Sequence, residues 1–192
     1  MLEPLHLHSI PIWKGHYPGD LSLLQDKALD FLTNSNNLNK GLEDGEAASS
    51  SSDPDAPHAW DESADFLKWF YENISVVLEN WNFVGGSYSV VNSWVNIHYK
   101  TGKTLEHTHS NASLVYAFYI KKPEGSGNIE FFDPLFYHWQ GSQQDLGYSW
   151  QIADVQEGDV VVFPGWMMHR TEESKTDQPR IVMSGNIGYE RT

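Results

Sequence analysis

Hydrophobic and polar positions divide the chain into two parts with different periodicities. Residues 20–34 and 63–80 carry apolar side chains at helical spacing, and Asp20 and Ser63 stand where they can cap these helices. From residue 86 onward, short runs rich in Val, Ile, Tyr and Phe are separated by Gly, Pro, Asp and Asn, which is typical of strands. Six such runs are predicted as strands: 87–99, 113–121, 128–132, 149–155, 158–164 and 180–189.

Two N-terminal segments have weaker patterns. Residues 5–13 alternate roughly by two and predict a strand, which Pro11 restricts to an edge or an irregular position. Residues 35–62 are rich in Ser, Asp, Asn and Gly and poor in apolar residues. They predict a long, mobile surface loop that contributes nothing to the core.

The number of strands favours an all-β sandwich or barrel, because no strand–helix alternation follows residue 86. Aromatic residues make up 14% of the 192 residues, and aromatic side chains suit strands. We predict one mainly β domain over residues 1–192. Residues 1–85 supply a strand, two helices and the loop, and residues 86–192 form the β core.

Composition excludes several functions. With 26 acidic and 12 basic residues the net charge is -14, so the surface repels phosphate and we expect no nucleic-acid partner. The absence of cysteine excludes disulfides, thiolate zinc sites, iron–sulfur clusters and Cys nucleophiles. No apolar run reaches the ~20 residues that span a bilayer, and the first residues lack a signal-peptide pattern. We therefore expect no membrane partner and an intracellular, cytoplasmic location.

Three of the nine histidines stand in a pattern that indicates a metal site. His107 and His109 are two residues apart in EHTHS, so in an extended chain their rings point the same way. His169 follows the buried run GDVVVFP across a Pro-Gly turn. Three such side chains can form a facial metal site with open positions. The alternative for His107 and His109 is a solvated pair in a turn.

One arginine accompanies these histidines. Arg180 comes eleven residues after His169 and opens an apolar strand. An unpaired buried charge is very costly, so the guanidinium needs an anion. The anion is either a core Asp or Glu or a ligand carboxylate held by two hydrogen bonds. An arginine beside a metal site suits a dicarboxylate cosubstrate that chelates the metal at its other end.

This order of residues resembles the iron(II)- and 2-oxoglutarate-dependent oxygenases, and the similarity covers residues 92–189. More narrowly, SWVNIHYKTGKTLEHTHS and EGDVVVFPGWMMHRTEESKTDQPRIVMSGNI resemble a bacterial and phage subfamily that carries His-x-His where most relatives carry His-x-Asp. The resemblance implies a double-stranded β-helix (a cupin-like jelly roll) with two supporting N-terminal helices. It also implies a bacterial or phage-infected bacterial cell as the setting.

The resemblance assigns iron ligands. His107 and His169 are implied to bind iron(II), and His109 takes the place usually held by a carboxylate. Three neutral imidazoles leave the iron with its full charge. Glu106, Asn111 and Asp133 are alternative oxygen donors for the third position.

Cosubstrate and pocket residues are also implied by the resemblance. Arg180 and Tyr119 are implied to bind the distal carboxylate of 2-oxoglutarate, and Ile129 to form an apolar wall. Relatives often carry Ser two residues after the arginine, where this chain has Val182, and Ser184 lies on the same strand face. Asn96 and His98 share one strand face before the site, where they either line the pocket or serve the framework, and Trp166 either shapes the pocket mouth or fills the core.

The function implied by the resemblance is a dioxygenase that uses Fe(II), 2-oxoglutarate and O2 and releases succinate and CO2. Family analogy suggests hydroxylation of an amino-acid, peptide or protein substrate, including proline. Residues 35–62 and 133–150 are candidate lids. Two alternatives stay open: a three-His, cupin-like iron dioxygenase without 2-oxoglutarate, and a noncatalytic β-sandwich binding module. The oligomeric state is not predicted.

Overall fold

The computed structural model describes residues 10–36, 38–81, 85–134 and 150–191. These residues form three α-helices and eleven strands. The helices are α1 Ser22–Asn34, α2 Ala64–Asn73 and α3 Ser75–Asn80. The strands are β1 Trp13–His16, β2 Glu43–Asp44, β3 Ala47–Ser49, β4 Gly86–His98, β5 Lys103–Thr104, β6 Leu114–Lys121, β7 Ile129–Phe132, β8 Trp150–Ala153, β9 Asp159–Pro164, β10 His169–Thr171 and β11 Arg180–Arg191. The mainly β prediction is therefore confirmed.

The described strands pair antiparallel and form one large and two small sheets. The large sheet has the order β1-β9-β6-β11-β4-β3, and the small sheets are β10-β7-β8 and β2-β5. Strands β4 and β11 pair along almost their whole length, with Arg180 opposite His98. This register brings the start of β11 beside the end of β4, where the site is built.

Both faces of the large sheet are covered, and β6 shows how. Successive side chains of a strand point to opposite faces, so a fully apolar strand can serve two layers. On one face, β6 joins the core beneath the helices through Leu114, Tyr116, Phe118 and Ile120. On the other face it joins a second cluster through Val115, Ala117 and Tyr119. The helices therefore pack on one face, and the second face carries the smaller apolar cluster.

The helical layer is anchored by Phe66 of α2, whose ring stacks on Phe118 with centroids 3.8 Å apart. Phe66 is 1% exposed. Phe66→Ala leaves a cavity under the sheet, so we expect the free energy of unfolding to fall by about 3–5 kcal/mol in urea titrations. The control is Leu23→Ala on α1, where the side chain is 73% exposed, and its expected change is below about 0.5 kcal/mol. Equal losses would contradict this packing.

The helix predictions need two corrections. The predicted helix 63–80 is two helices that meet at Ile74, and Ser63 does not cap α2 with its side chain. Instead, its buried hydroxyl donates to Met183 Sδ at 3.8 Å, because this position faces the sheet. The predicted helix 20–34 begins at Ser22, and the Asp20 carboxylate accepts a hydrogen bond from the Ser22 backbone N–H at 2.9 Å.

The N-terminal strand is also displaced from its predicted position. Residues 5–9 of the predicted strand lie outside the described residues, and residues 10–12 are not in a strand. The strand β1 begins at Trp13 and pairs with β9 at the edge of the large sheet. The prediction of an edge strand is thus right in kind, and its boundaries are wrong.

The expectation that residues 35–62 contribute nothing to the core is wrong. Trp60 is 6% exposed and belongs to the core beneath the helices. Strand β3 pairs with β4, and Ser50 exchanges hydrogen bonds with the Val95 backbone. Backbone pairing along a sheet edge needs no apolar periodicity, which is why the composition gave no sign of it. The mobility of this segment stays a prediction.

In the described parts of the chain, no helix combines the length and the apolar character that crossing a bilayer requires. The intracellular location and the single domain over residues 1–192 both stay predictions.

Candidate active site

A short backbone bridge brings the three predicted metal ligands together. His107 and His169 form an isolated antiparallel bridge with two backbone hydrogen bonds of 3.0 Å. The His109 backbone N–H donates to Gly165 O at 2.7 Å. One ligand atom of each ring lies within 4.8 Å of the corresponding atom of the other two. The predicted trio is therefore a cluster in space.

Hydrogen bonds hold two of the rings in a metal-binding tautomer. His107 Nδ1 lies 2.8 Å from Leu105 O, and His169 Nδ1 lies 2.9 Å from Met167 O. A carbonyl oxygen only accepts, so each Nδ1 carries the proton and each Nε2 keeps a free lone pair. The Nε2 atoms of His109 and His169 are 3.4 Å apart. Two ligands about 2.1 Å from one ion are separated by roughly this distance.

Burial keeps the three rings neutral, which is the form that binds a metal. Desolvation by burial, together with a smaller effect of the neighbouring His107, lowers the pKa of His109 to about 4. Burial also lowers the pKa of His107, against the opposing effect of its bond to Leu105 O. The pKa of His169 falls well below the ordinary value, again mainly through burial.

These shifts predict how stability of the metal-free protein depends on pH. Between about pH 6.5 and pH 4 the unfolded chain binds a proton at His109 that the folded chain does not. The free energy of unfolding therefore falls as the pH is lowered through this window, by roughly 2–3 kcal/mol for this residue. Urea unfolding of the metal-free protein at several pH values measures the slope, and His109→Asn should flatten it. Identical slopes for the two proteins would contradict a neutral, buried His109.

No carboxylate belongs to this cluster within the described residues. Of the alternative donors, Glu106 and Asn111 are exposed, and neither Glu106 nor Asp133 joins the three histidines. Three neutral nitrogens on one side of an open space suit a divalent transition metal such as iron(II). The donor set therefore fits the metal that the resemblance implies.

The histidines open into a cavity of about 280 Å³ on the face of the large sheet opposite the helices. Five of the other predicted site residues line it: Asn96, His98, Tyr119, Ile129 and Ser184. Trp166 does not line it; its side chain is 50% exposed and its ring meets Trp81 edge-on at 6.3 Å. Residues 135–149, most of the second candidate lid, lie outside the described residues.

Arg180 is fully buried and is hydrogen-bonded to two residues that line this cavity, His98 and Thr171. Its Nη1 donates to Ser126 O at 2.5 Å, its Nη2 to Thr171 Oγ1 at 2.9 Å, and its Nε to His98 Nδ1 at 3.4 Å. Among the described residues, no Asp or Glu forms an ion pair with it within 4.0 Å. A direct bond to a core acid, one of the two predicted alternatives, is thus not observed.

Two neighbours shape the arginine's surroundings. Burial raises the pKa of Tyr119 to about 12, and the positive charge of Arg180 opposes this rise. Gly127 has φ +80, and a Cβ there would lie 2.8 Å from Glu172 O and 3.1 Å from Arg180 Nη1. Only glycine fits between the turn and the guanidinium without strain.

Several cavity residues were missed by the sequence analysis. Trp94 lines the cavity, and its ring stacks on His109 with centroids 5.7 Å apart. Its position two residues before Asn96 on β4 is a signal that could have found it, because both point to the same face. Glu43 and Thr104, which also line the cavity, lie in strands of two residues that no pattern marks.

A comparison with protein families matches this part of the chain. A family model with the description "Putative 2OG-Fe(II) oxygenase" matches residues 92–186, which include the three histidines and Arg180. The chain belongs to the 2-oxoglutarate- and iron(II)-dependent oxygenases. This oxygenase is accordingly an oxidoreductase, and iron(II), 2-oxoglutarate and O2 are its cofactor and cosubstrates. A search of curated protein sequences finds no significant match.

Solved structures share the fold of the oxygenase. A prolyl-4-hydroxylase from Pseudomonas putida has a TM-score of 0.60 and 12% identity over 96% of this chain and 94% of its own. The 2-oxoglutarate-dependent epimerase SnoN of nogalamycin biosynthesis has a TM-score of 0.61 and 12% identity, over 95% of this chain and 79% of its own. HygX from Streptomyces hygroscopicus, solved with nickel and 2-oxoglutarate, has a TM-score of 0.59 and 12% identity, over 93% of this chain and 83% of its own. The predicted double-stranded β-helix is therefore confirmed.

Family membership also decides between the alternatives left open by the sequence. A noncatalytic binding module and a three-His dioxygenase without 2-oxoglutarate are both set aside, because the matching family model is described as a 2-oxoglutarate- and iron(II)-dependent oxygenase. The individual residue roles rest on geometry and chemistry and are taken up as proposals.

Proposed function

We propose that this oxygenase hydroxylates an unactivated C–H bond in an amino-acid side chain of a peptide or protein and releases succinate and CO2. The observation that carries the proposal is the pairing of three convergent, neutral imidazoles with a buried arginine that has no directly bound carboxylate among the described residues. A chelating 2-oxo acid with a distal carboxylate complements both features at once.

The histidines are assigned the metal. His107, His109 and His169 would hold iron(II) through Nε2, and the Leu105 and Met167 carbonyls keep two of the rings correctly oriented. With iron(II) and the 2-oxo acid bound, the site would activate O2, the oxidant, so that one oxygen atom enters succinate as CO2 is released and the other enters the substrate C–H bond. The protein residues contribute binding, orientation and exclusion of water.

The cosubstrate is assigned the inner part of the cavity. Arg180 and the Tyr119 hydroxyl would donate to the distal carboxylate, since a protonated guanidinium and a phenol of raised pKa are both donors there. Ile129, which is 3% exposed, would pack against the carbon chain. Ser184 lines the same cavity, while Val182 stands where relatives often carry serine.

The substrate is assigned the outer part of the cavity. Ser49, Ser51, Asn92 and Trp94 line it and offer hydroxyl, amide and aromatic groups. Asn96 Oδ1 is buried with no hydrogen-bond partner in the described structure, so it can accept from a ligand N–H. These groups suit the amides and flat rings of a peptide. The prolyl-4-hydroxylase of the same fold makes proline the first residue to test.

The experiment measures turnover of candidate substrates by protein that carries known amounts of iron(II) and 2-oxoglutarate. The untagged protein is reconstituted anaerobically with iron(II) and 2-oxoglutarate, exposed to O2, and offered peptides that differ in one residue, with free amino acids in parallel. We expect succinate to rise with a peptide substrate and the peptide to gain one oxygen atom by mass spectrometry. Succinate release that is stimulated by a free amino acid and by none of the peptides would contradict the peptide assignment. Substrate consumed without gain of oxygen would contradict hydroxylation.

A further inference from the structure

A hydrogen-bonded chain of buried polar residues runs from Arg180 to strand β2. Arg180 Nε lies 3.4 Å from His98 Nδ1, and His98 Nε2 is hydrogen-bonded to the Glu43 carboxylate. Thr104 Oγ1 donates to the same carboxylate at 2.9 Å. All four residues are at most 7% exposed. The chain therefore places one cation and one anion in a dry region on either side of an imidazole.

The direction of each hydrogen bond follows from the donors. A guanidinium has no acceptor, so Arg180 donates and His98 Nδ1 accepts. The proton of the neutral ring is then on Nε2, which donates to Glu43. Burial is the main cause that lowers the pKa of His98, and the Arg180 charge acts in the same direction, against the hydrogen bond and the charge of Glu43, which raise it; the net lowering keeps the ring neutral. Glu43 is thus linked to Arg180 through one uncharged side chain.

This arrangement matters for a ligand because its parts border the cavity. Glu43, His98 and Thr104 line the cavity, and Arg180 is hydrogen-bonded to His98. Before a cosubstrate enters, Glu43 and the less buried Glu172 are the carboxylates that act on the Arg180 charge, and Glu43 is the one linked to it through His98. A distal carboxylate that reaches Arg180 becomes a second anion in the same buried region, where screening by solvent is weak. The resident and the incoming carboxylate then compete for one guanidinium.

We propose that Glu43 is a positioning residue whose carboxylate, acting through His98, is the resident counter-ion of Arg180 and limits the affinity for dicarboxylate 2-oxo acids. The inference rests on the proposed use of Arg180 for the distal carboxylate. Glu43 holds the guanidinium turned towards His98 and Thr171 in the absence of the cosubstrate. Its negative charge also makes the binding of a second carboxylate in this site less favourable.

A purely structural role for Glu43 makes a different prediction. If Glu43 only satisfies His98 and Thr104 and joins β2 to β5, its loss lowers stability and weakens every ligand alike. If Glu43 is the competing counter-ion, its loss strengthens binding of ligands with a distal carboxylate and leaves other 2-oxo acids unaffected. The sign and the selectivity of the affinity change therefore separate the two roles.

The test compares two ligands on two variants. Glu43→Gln keeps an oxygen acceptor for His98 and removes the charge. Asp44→Asn removes the same charge from the exposed neighbouring position on β2 and serves as the control. Affinities for 2-oxoglutarate and for the monocarboxylate 2-oxobutyrate are measured by calorimetry on protein loaded with Mn(II) in place of iron(II). We expect Glu43→Gln to bind 2-oxoglutarate roughly tenfold more tightly and 2-oxobutyrate within twofold of the unmodified protein.

Each other outcome counts against the proposal. Weaker or unchanged 2-oxoglutarate binding by Glu43→Gln, or an equal gain for both ligands or for Asp44→Asn, would overturn it. If Glu43→Gln does not fold, Glu43→Asp is measured in its place, because it moves the charge back by one methylene. Glu43→Asp should bind 2-oxoglutarate more tightly than the unmodified protein, by a smaller factor than is expected for Glu43→Gln. An unchanged affinity of Glu43→Asp would overturn the proposal. If the unmodified, metal-loaded protein does not bind 2-oxoglutarate, the result contradicts the proposed function, on which the role of Glu43 rests.

Discussion

Replacing either His107 or His169 by alanine is expected to abolish iron binding and turnover. Each substitution removes one of three nitrogen donors and the backbone-anchored ring that carries it. Loss of a residue that merely orients a ligand costs 10- to 100-fold in metal affinity or activity, so loss of a ligand itself should exceed about 100-fold. Metal analysis after anaerobic loading with iron(II), together with succinate release, measures both effects on untagged protein.

The matched control for this prediction is a histidine outside the cluster. His16 pairs with Asp159 at 2.9 Å on the edge strand β1, and its side chain is 61% exposed. His16→Gln should keep full iron content and turnover. Near-normal iron in His107→Ala and His169→Ala, with both proteins folded, would show that the metal is held elsewhere.

Arg180→Met is expected to weaken 2-oxoglutarate binding while leaving metal binding intact. Charge-assisted hydrogen bonds to a buried guanidinium contribute about 2–3 kcal/mol, which corresponds to a roughly 30- to 150-fold rise in Kd. Methionine approximates the length of the arginine stem, so the core around β11 stays filled. In the part of the chain that the structure describes, the arginine side chain is hydrogen-bonded to His98, Ser126, Thr171 and Glu172 and to none of the three histidines, so iron content should not change.

The ligand comparison supplies the control for Arg180→Met. The monocarboxylate 2-oxobutyrate has no distal carboxylate, so its affinity for the variant should stay within about threefold. An unchanged affinity of Arg180→Met for 2-oxoglutarate would mean that another group holds the distal carboxylate. Arg170 would then be the first candidate, since it lines the cavity and pairs with Glu130 at 2.7 Å.

Local sequence patterns predicted the β core and the histidine cluster for specific reasons. The runs in β6 and β9 are apolar on both faces, and this is visible in composition alone. His107 and His109 are two residues apart, so one extended segment presents both rings. The strand β9 ends at a Pro-Gly turn shortly before His169. None of these features depends on knowing which distant segments pair.

Features that depend on long-range pairing were beyond the sequence patterns. Glu43 and Trp60 lie in a polar segment with no periodicity, and their burial follows from pairing with β5 and packing against α1. The hydrogen bond from Arg180 to His98 requires the register of β11 on β4. Trp166 was implied as a pocket residue from its proximity to His169 in sequence, but the turn directs its side chain towards Trp81.

The most direct test of the account is an anaerobic titration of the protein with iron(II) and 2-oxoglutarate, followed by visible absorption. Chelation of iron(II) by a 2-oxo acid gives a weak visible band that neither component gives alone. We expect the band to saturate at one iron and one 2-oxoglutarate per chain, and we expect His169→Ala not to form it. Stoichiometric iron binding without the band at saturating 2-oxoglutarate would contradict the account, because the cosubstrate would then not share the histidine-bound metal.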